Sequence, residues 1–184
     1  MDYRRRYVPG GCYFFTVVTF ERRPFLTSDL ARACLRAAWT EVRRHHPFQV
    51  LALCLLPDHL HCLWQLPENN TDFSTLWKHI KGDFSRRYRA HGGNEGKRSA
   101  SRQRTREAAF WQRRFWEHLI RNESDYANHV NYIHYNPVKH GYAQWPGEWP
   151  WSSFHRFLAE EWYDREWGWT PPKMPPDFQA PPEP

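Results

Sequence analysis

In the run Leu56-Pro57-Asp58-His59-Leu60-His61-Cys62-Leu63-Trp64-Gln65-Leu66-Pro67, two histidines flank one leucine. Successive side chains of a strand point to opposite faces, so His59 and His61 would share one face and Leu60 and Cys62 the other. Two imidazoles on one rigid face are half a metal site; the plainer alternative is a hydrogen-bonded pair on a half-buried strand. A second set lies far along the chain. Tyr132 and Asn136 are one helical step apart, which places their side chains about 5 to 6 Å from each other at Cβ. A phenol and an amide carbonyl then project together. With the two imidazoles they form a set suited to phosphodiester transesterification, with Tyr132 as nucleophile and a divalent cation on His59, His61 and Asn136. A free phenol ionises near pH 10, so it needs positive charge nearby. Mixed nitrogen and oxygen ligands with open positions suit Mg²⁺ or Mn²⁺. Tyr126 and Tyr135 are rival nucleophiles, and His118, His129, His134 or His140 could assist. Asp58 reads as a turn residue, out of phase with the histidines.

These residues need elements to hold them. Tyr13 to Phe20 is dense in β-branched and aromatic residues and reads as the first strand. Ser28 or Asp29 caps a helix through Leu30, Cys34, Leu35, Ala38, Trp39 and Val42, which Pro47 closes. Phe48 to Leu56 and His59 to Leu66 read as antiparallel strands joined at Pro57-Asp58. From Phe73, the positions Leu76, Trp77, Ile80, Phe84 and Tyr88 repeat at helical spacing. A fourth strand is expected around Phe115-Trp116. The order strand, helix, strand, strand, helix, strand fits an α+β, ferredoxin-like (RRM-like) split βαβ sandwich, with helices on one face of an antiparallel sheet and the other face free. An additional helix carries the tyrosine; it starts near Asn122 or Ser124, packs through Tyr126, Val130 and Ile133, and ends before Pro137. Its Tyr132 shares a different face with Asn128 and Asn136.

The chain has 184 residues, which suits one domain, and 11 Trp, 9 Tyr and 12 Phe point to an aromatic-rich core. A formal net charge of +6 suggests a polyanionic partner. Expected phosphate contacts are Arg4, Arg5, Arg6, Lys78, Arg86, Arg89, Arg113, Arg114 and Lys139. The four cysteines form no Cys-x-x-Cys pair and read as reduced core thiols. No run is long and apolar enough to span a membrane, and the start lacks a secretion signal, so the expected location is the cytoplasm. Residues 1–158 read as the working domain, with a flexible basic loop at 91–107, and 159–184 as an acidic, proline-rich tail that could lie over the nucleic-acid groove and restrain activity.

Several stretches together resemble a known family. They are Tyr3-Arg4-Arg5-Arg6-Tyr7 with Gly10-Gly11, the Leu56 to Trp64 stretch, Arg114-Phe115-Trp116-Glu117-His118, and His129-Val130-Asn131-Tyr132-Ile133-His134-Tyr135-Asn136-Pro137-Val138-Lys139-His140-Gly141. The chain resembles the HUH single-tyrosine transposases, and among them the REP-associated tyrosine transposases of bacteria. The resemblance implies metal binding by His59, His61 and Asn136 and a covalent bond from Tyr132 to a DNA 5′ phosphate, with release of a 3′ hydroxyl. It implies single-stranded REP or BIME hairpins as substrate, a monomer, and action at the bacterial nucleoid. The basic loop at 91–107 departs from the family pattern. Two other readings stand beside it: a domesticated, non-catalytic hairpin-binding protein, and an RNA-binding sandwich with stacking aromatics.

Overall fold

The aromatic strand lies inside a four-stranded sheet, as its apolar content requires. The computed structural model describes residues 6–176, 178 and 180. The strands are β1 (Cys12–Val18), β2 (Gln49–Leu55), β3 (His59–Gln65) and β4 (Trp116–Leu119), in the order β2-β3-β1-β4. All neighbours are antiparallel. Helices α1 (Asp29–His45) and α2 (Phe73–Ala90) follow β1 and β3, giving the split βαβ arrangement; α3 (Ala100–Arg104), α4 (Glu123–Lys139) and α5 (Phe154–Ala159) complete the set.

Ser28 is the cap of α1, its side chain accepting from the Ala31 N–H, and Asp72 caps α2 by accepting from Thr75. Each such cap is worth about 1 kcal/mol. Both helices bury their expected stripes on one sheet face, against Tyr13, Phe15, Val17, Leu60, Cys62 and Trp64. The chain's cysteines are free thiols, and burial pushes the Cys12 thiol up to about 12.

Four features differ from the sequence expectation. The second sheet face is covered: α4, α5 and Trp149 build a second core over Phe14, Ala52, Cys54 and Leu63. Consequently the buried arc of α4 is wider than one stripe, and Tyr132 and Asn136 sit in it with His129, while Asn128 is only partly buried. Helix α4 runs through Pro137 to Lys139. Proline removes one donor near the helix end, and the last turn closes around it, His140 N–H bonding to Asn136 O at 3.0 Å. The 91–107 segment contains α3, with Arg102 buried, donating to Trp111 O at 2.8 Å and lying over the Phe20 ring at 4.2 Å. From the 159–184 stretch, Tyr163 and Trp167 pack into the second core.

Candidate active site

Strand β3 is interior, so its histidines are gripped from both sides: His59 is opposite Val18 and Leu56 bonds back to it, while His61 is opposite Thr16 and Cys54. Both are fully buried. His59 Nδ1 lies 2.7 Å from Asp58 Oδ1, and His61 Nδ1 lies 2.9 Å from Thr16 Oγ1. A carboxylate only accepts, so Nδ1 of His59 donates to it and Nε2 is the ring nitrogen left to face a metal. Neither Nε2 finds a hydrogen-bond partner among the described residues. Burial, reinforced by the nearby charge of His59, His140 and Lys139, pushes His61 well below the usual imidazole range against a raising contact from Asn136. It is therefore neutral at physiological pH.

Asp58 is more than a turn residue. Arg22 Nε donates to its Oδ2 at 2.8 Å. Burial alone would raise this carboxyl, but the His59 and Arg22 contacts hold it down at about 2. Arg22 reaches it from a kink in which Glu21 and Arg22 have φ of 55° and 52°. That left-handed pair is strained backbone retained beside the site. Neither Arg22 nor Thr16 was visible as a site residue from spacing.

Helix α4 starts at Asn122, whose side chain accepts from Asp125 N–H, and it brings Tyr132 against the histidine strand. The Tyr132 ring centre is 5.3 Å from that of His61 and 6.0 Å from Phe14. Its rival Tyr126 is near Trp162 instead, and Tyr135 does not ring-contact a site histidine. The Asn136 amide nitrogen donates to Tyr132 O at 2.9 Å. Because that carbonyl can only accept, the amide orientation is determined, and Oδ1 is left buried without a hydrogen bond among the described residues. Three buried lone-pair atoms, on His59, His61 and Asn136, thus fit a cation. Lys139, read from sequence as a phosphate contact, has its Nζ 3.5 Å from the Tyr132 hydroxyl and 4.9 Å over its ring.

Two turns earlier on α4, Asp125 joins His118 of β4 at 2.9 Å, His129 Nδ1 at 3.2 Å and Arg121 Nε at 3.0 Å. The ligand atoms of His118, Asp125 and His129 lie within 4.8 Å of one another, a set that could also receive a cation. With the Arg121 guanidinium on the same carboxylate, the cluster serves as a clasp between β4 and α4. His134 faces the second core, 3.0 Å from the Tyr163 hydroxyl and 2.7 Å from Ser153 Oγ.

Of the expected phosphate contacts, Arg4 and Arg5 lie outside the described residues. Arg6 is exposed beside Tyr13, which donates to its carbonyl. Lys78, Arg86, Arg89 and Arg113 come together along a groove of about 560 Å³ between α2 and the segment before β4, with Lys81 and Phe115. Arg86, Arg89 and Arg113 are each paired with a carboxylate, of Asp83, Glu95 and Glu107. Arg114 is exposed near the groove's end. Gln112, which lines the groove, donates its N–H to Val18 O, and Val18 is the β1 partner of His59.

Comparison with known proteins supplies the family. The family model described as "Transposase IS200 like" matches residues 8–136. A REP-associated tyrosine transposase of Escherichia coli K12 is 42% identical over 166 residues, 90% of each chain. A Haemophilus influenzae protein bearing the same designation is 44% identical over 170 residues, 92% of this chain and 94% of that one. A solved structure of a REP-associated tyrosine transposase bound to a REP hairpin matches with a TM-score of 0.76 and 38% identity over 99% of both chains. The chain therefore belongs to the IS200-like transposase family of HUH-type DNA-cleaving enzymes, among the REP-associated tyrosine transposases.

Proposed function

We propose that the protein is a metal-dependent single-strand DNA endonuclease and transesterase that binds REP or BIME hairpins and cleaves and rejoins them through a 5′-phosphotyrosine. One observation carries the reading: His59 Nε2, His61 Nε2 and Asn136 Oδ1 are buried without hydrogen-bond partners among the described residues, and the His61 ring lies 5.3 Å from that of Tyr132. These three would hold Mg²⁺ or Mn²⁺, which when bound polarises the scissile phosphate and favours departure of the leaving oxygen. Tyr132 Oη attacks phosphorus and loses its proton to solvent, with the Lys139 ammonium stabilising the developing phenolate. The bond from phosphorus to the 3′ oxygen breaks, and that oxygen takes up a proton. Return attack by a 3′ hydroxyl on the phosphotyrosine releases Tyr132 and rejoins the strand. Asp58 and Thr16 keep the imidazoles oriented throughout. The groove beside α2, with Lys78, Arg86, Arg89, Arg113 and Arg114, supplies the phosphate contacts, and Arg4, Arg5 and Arg6 those to the bases beside the stem. The working domain takes in Tyr163 and Trp167 and acts as a monomer on chromosomal DNA in the cytoplasm, and the stretch beyond them is a regulatory tail. No helix among the described residues is long and apolar enough to cross a membrane.

The test is a labelled single-strand REP hairpin incubated with protein and Mn²⁺, then run on a denaturing gel. Wild type is expected to form a protein-DNA adduct, and Tyr132→Phe to lose it while still shifting the hairpin on a native gel. Adduct from the variant would overturn the assignment. The second reading, a hairpin-binding protein that does not cut, is favoured by one observation: Tyr132 is only 5% exposed. Tight hairpin binding with no nick by wild type under any divalent cation supports it.

A further inference from the structure

Strand β2 is one edge of the sheet, and the segment after α4 pairs with part of it: Leu55 N–H bonds to Trp151 O at 2.8 Å, Ser153 N–H to Leu53 O at 2.8 Å, and Cys54 is paired antiparallel with Ser152. Between this pairing and α1 lies a cleft of about 500 Å³. Its lining joins Arg32, Arg36, Arg43 and Arg156 to Trp39, Trp151 and apolar residues of β2, and it contains no carboxylate. None of these residues belongs to the groove beside α2. Arg32 and Arg156 are paired with Asp29 and Glu160, which lie outside the cleft, while Arg36 and Arg43 have no carboxylate partner among the described residues. Arg43 is anchored by Nε, which donates to Phe48 O at 3.0 Å, and its terminal N–H groups are left to meet an anion. The Arg32 guanidinium lies 5.0 Å over the Trp151 ring. Cations without counter-charges, set among aromatic side chains, are complementary to a polyanion that also carries flat rings.

A row of rings joins this cleft to the proposed site. The His140 ring centre is 5.1 Å from that of His59, Tyr142 is 6.2 Å from His140 at 28°, Trp149 is 5.5 Å from Tyr142 at 30°, and Trp151 is 4.9 Å from Trp149. Tyr142 is 44% exposed, yet its backbone is held, the N–H bonding to Pro137 O at 2.8 Å. Trp149 is buried and donates Nε1 to Leu55 O at 2.9 Å. An exposed ring on a fixed backbone loses little freedom when another ring stacks on it. Sites for single-stranded nucleic acid combine such rings with a cationic track for the phosphates.

We propose that this cleft, reached over Tyr142, holds the single-stranded DNA that flanks the hairpin, with phosphates on Arg36, Arg43 and Arg156 and bases on Tyr142 and Trp151. The inference rests on the single-strand hairpin substrate proposed above. An acidic protein segment would satisfy the arginines but leave the exposed ring of Tyr142 without a role; a flanking strand uses both.

The experiment measures fluorescence anisotropy of the full chain with a bare REP hairpin and with the same hairpin carrying an oligothymidine flank, over a salt series without divalent metal. Wild type is expected to bind the flanked hairpin about tenfold more tightly. The double variant Arg36→Gln, Arg43→Gln is expected to lose about tenfold on the flanked hairpin, with a salt slope lower by about 0.7 for each phosphate contact removed, and to bind the bare hairpin as wild type does. Tyr142→Ala is expected to lose about fivefold on the flanked hairpin alone. Equal binding of the two DNAs by wild type, or an equal loss on both by the double variant, overturns the assignment. With 5-iododeoxyuridine in the flank, ultraviolet irradiation of the wild-type complex is expected to attach the DNA at Tyr142 or Trp151, and attachment only elsewhere overturns it without recourse to any variant. Polyglutamate binding more tightly than the flank would give the cleft to an acidic protein segment instead. If wild type binds neither DNA, the substrate reading fails together with this one.

Discussion

Asp58 shows how a single carboxylate can control a site without touching the substrate. It accepts from His59 Nδ1 and from Arg22, and so leaves Nε2 as the imidazole nitrogen open to the proposed cation. Asp58→Asn is expected to weaken Mn²⁺ binding by about 10- to 100-fold in calorimetry while leaving hairpin binding in the absence of metal unchanged. Lys139→Met removes the ammonium near the phenol; cleavage near neutral pH is expected to fall roughly tenfold and to recover in part as pH rises, since alkali then deprotonates Tyr132 directly. The shared face of His59 and His61 and the single step from Tyr132 to Asn136 were legible because strands repeat every two residues and helices nearly every four. Asp58, Arg22 and Thr16 were not, because their roles depend on a left-handed kink at Glu21-Arg22 and on strand register, neither of which leaves a periodic trace. Arg102 was misleading for a related reason: in a run of arginines nothing marks the one that two carbonyls draw inward.

At the level of elements, α4 carries Tyr132 and Asn136 of the proposed site and is docked on both sides. Its His129 and His134 are buried on the face toward the sheet and second core. Burial first, with the charge of His118 for His129 and of Arg156 and His155 for His134, lowers these imidazoles to about 4 and about 3. Unfolded, each would take up a proton near pH 6.5, so the unfolded state binds more protons at mildly acid pH. Stability is thus fully present above about pH 6.5 and declines as pH falls toward 4. The thermal midpoint by circular dichroism is expected to drop over that interval, and His134→Gln to make the drop shallower. A midpoint independent of pH from 6.5 to 4 would contradict the burial argument. The helix itself was evident from its cap and apolar spacing. Its passage through Pro137 was not, since proline ordinarily marks an end; here the lost donor falls in the last turn, where one missing bond costs little.

At the scale of the whole molecule, the order of strands and helices determined the sandwich, because alternation and helical stripes assigned the four strands and the helices α1 and α2 between them, though not α3. Coverage of the second face was hidden in an aperiodic segment from Trp145 to Trp169, where turns and tryptophans carry no repeat. That segment corrects the expected tail as well: Tyr163 and Trp167 belong to the core, and Tyr163 donates to Asn131 Oδ1 at 3.0 Å. Further on, Phe178 comes within 5.8 Å of the Tyr132 ring and 5.0 Å of His129. An aromatic side chain, more than the acidic character of the tail, thus stands over the tyrosine. Truncation after Lys173 is expected to raise the cleavage rate on a labelled hairpin several-fold without lowering the thermal midpoint; an unchanged or lower rate would remove the restraint hypothesis. Truncation at Glu160 would instead destabilise the second core.

The histidine strand also carries an optical marker on its opposite face. Trp64, three residues beyond His61, stacks on Trp77 of α2 at 4.4 Å and 18°. Two indoles so close share their electronic transitions, and the pair gives the near-ultraviolet dichroism a signature set by the seating of β3 on α2. Any substitution or ligand that shifts the strand from its helical support will therefore register in a spectrum, even when it leaves every catalytic side chain in place.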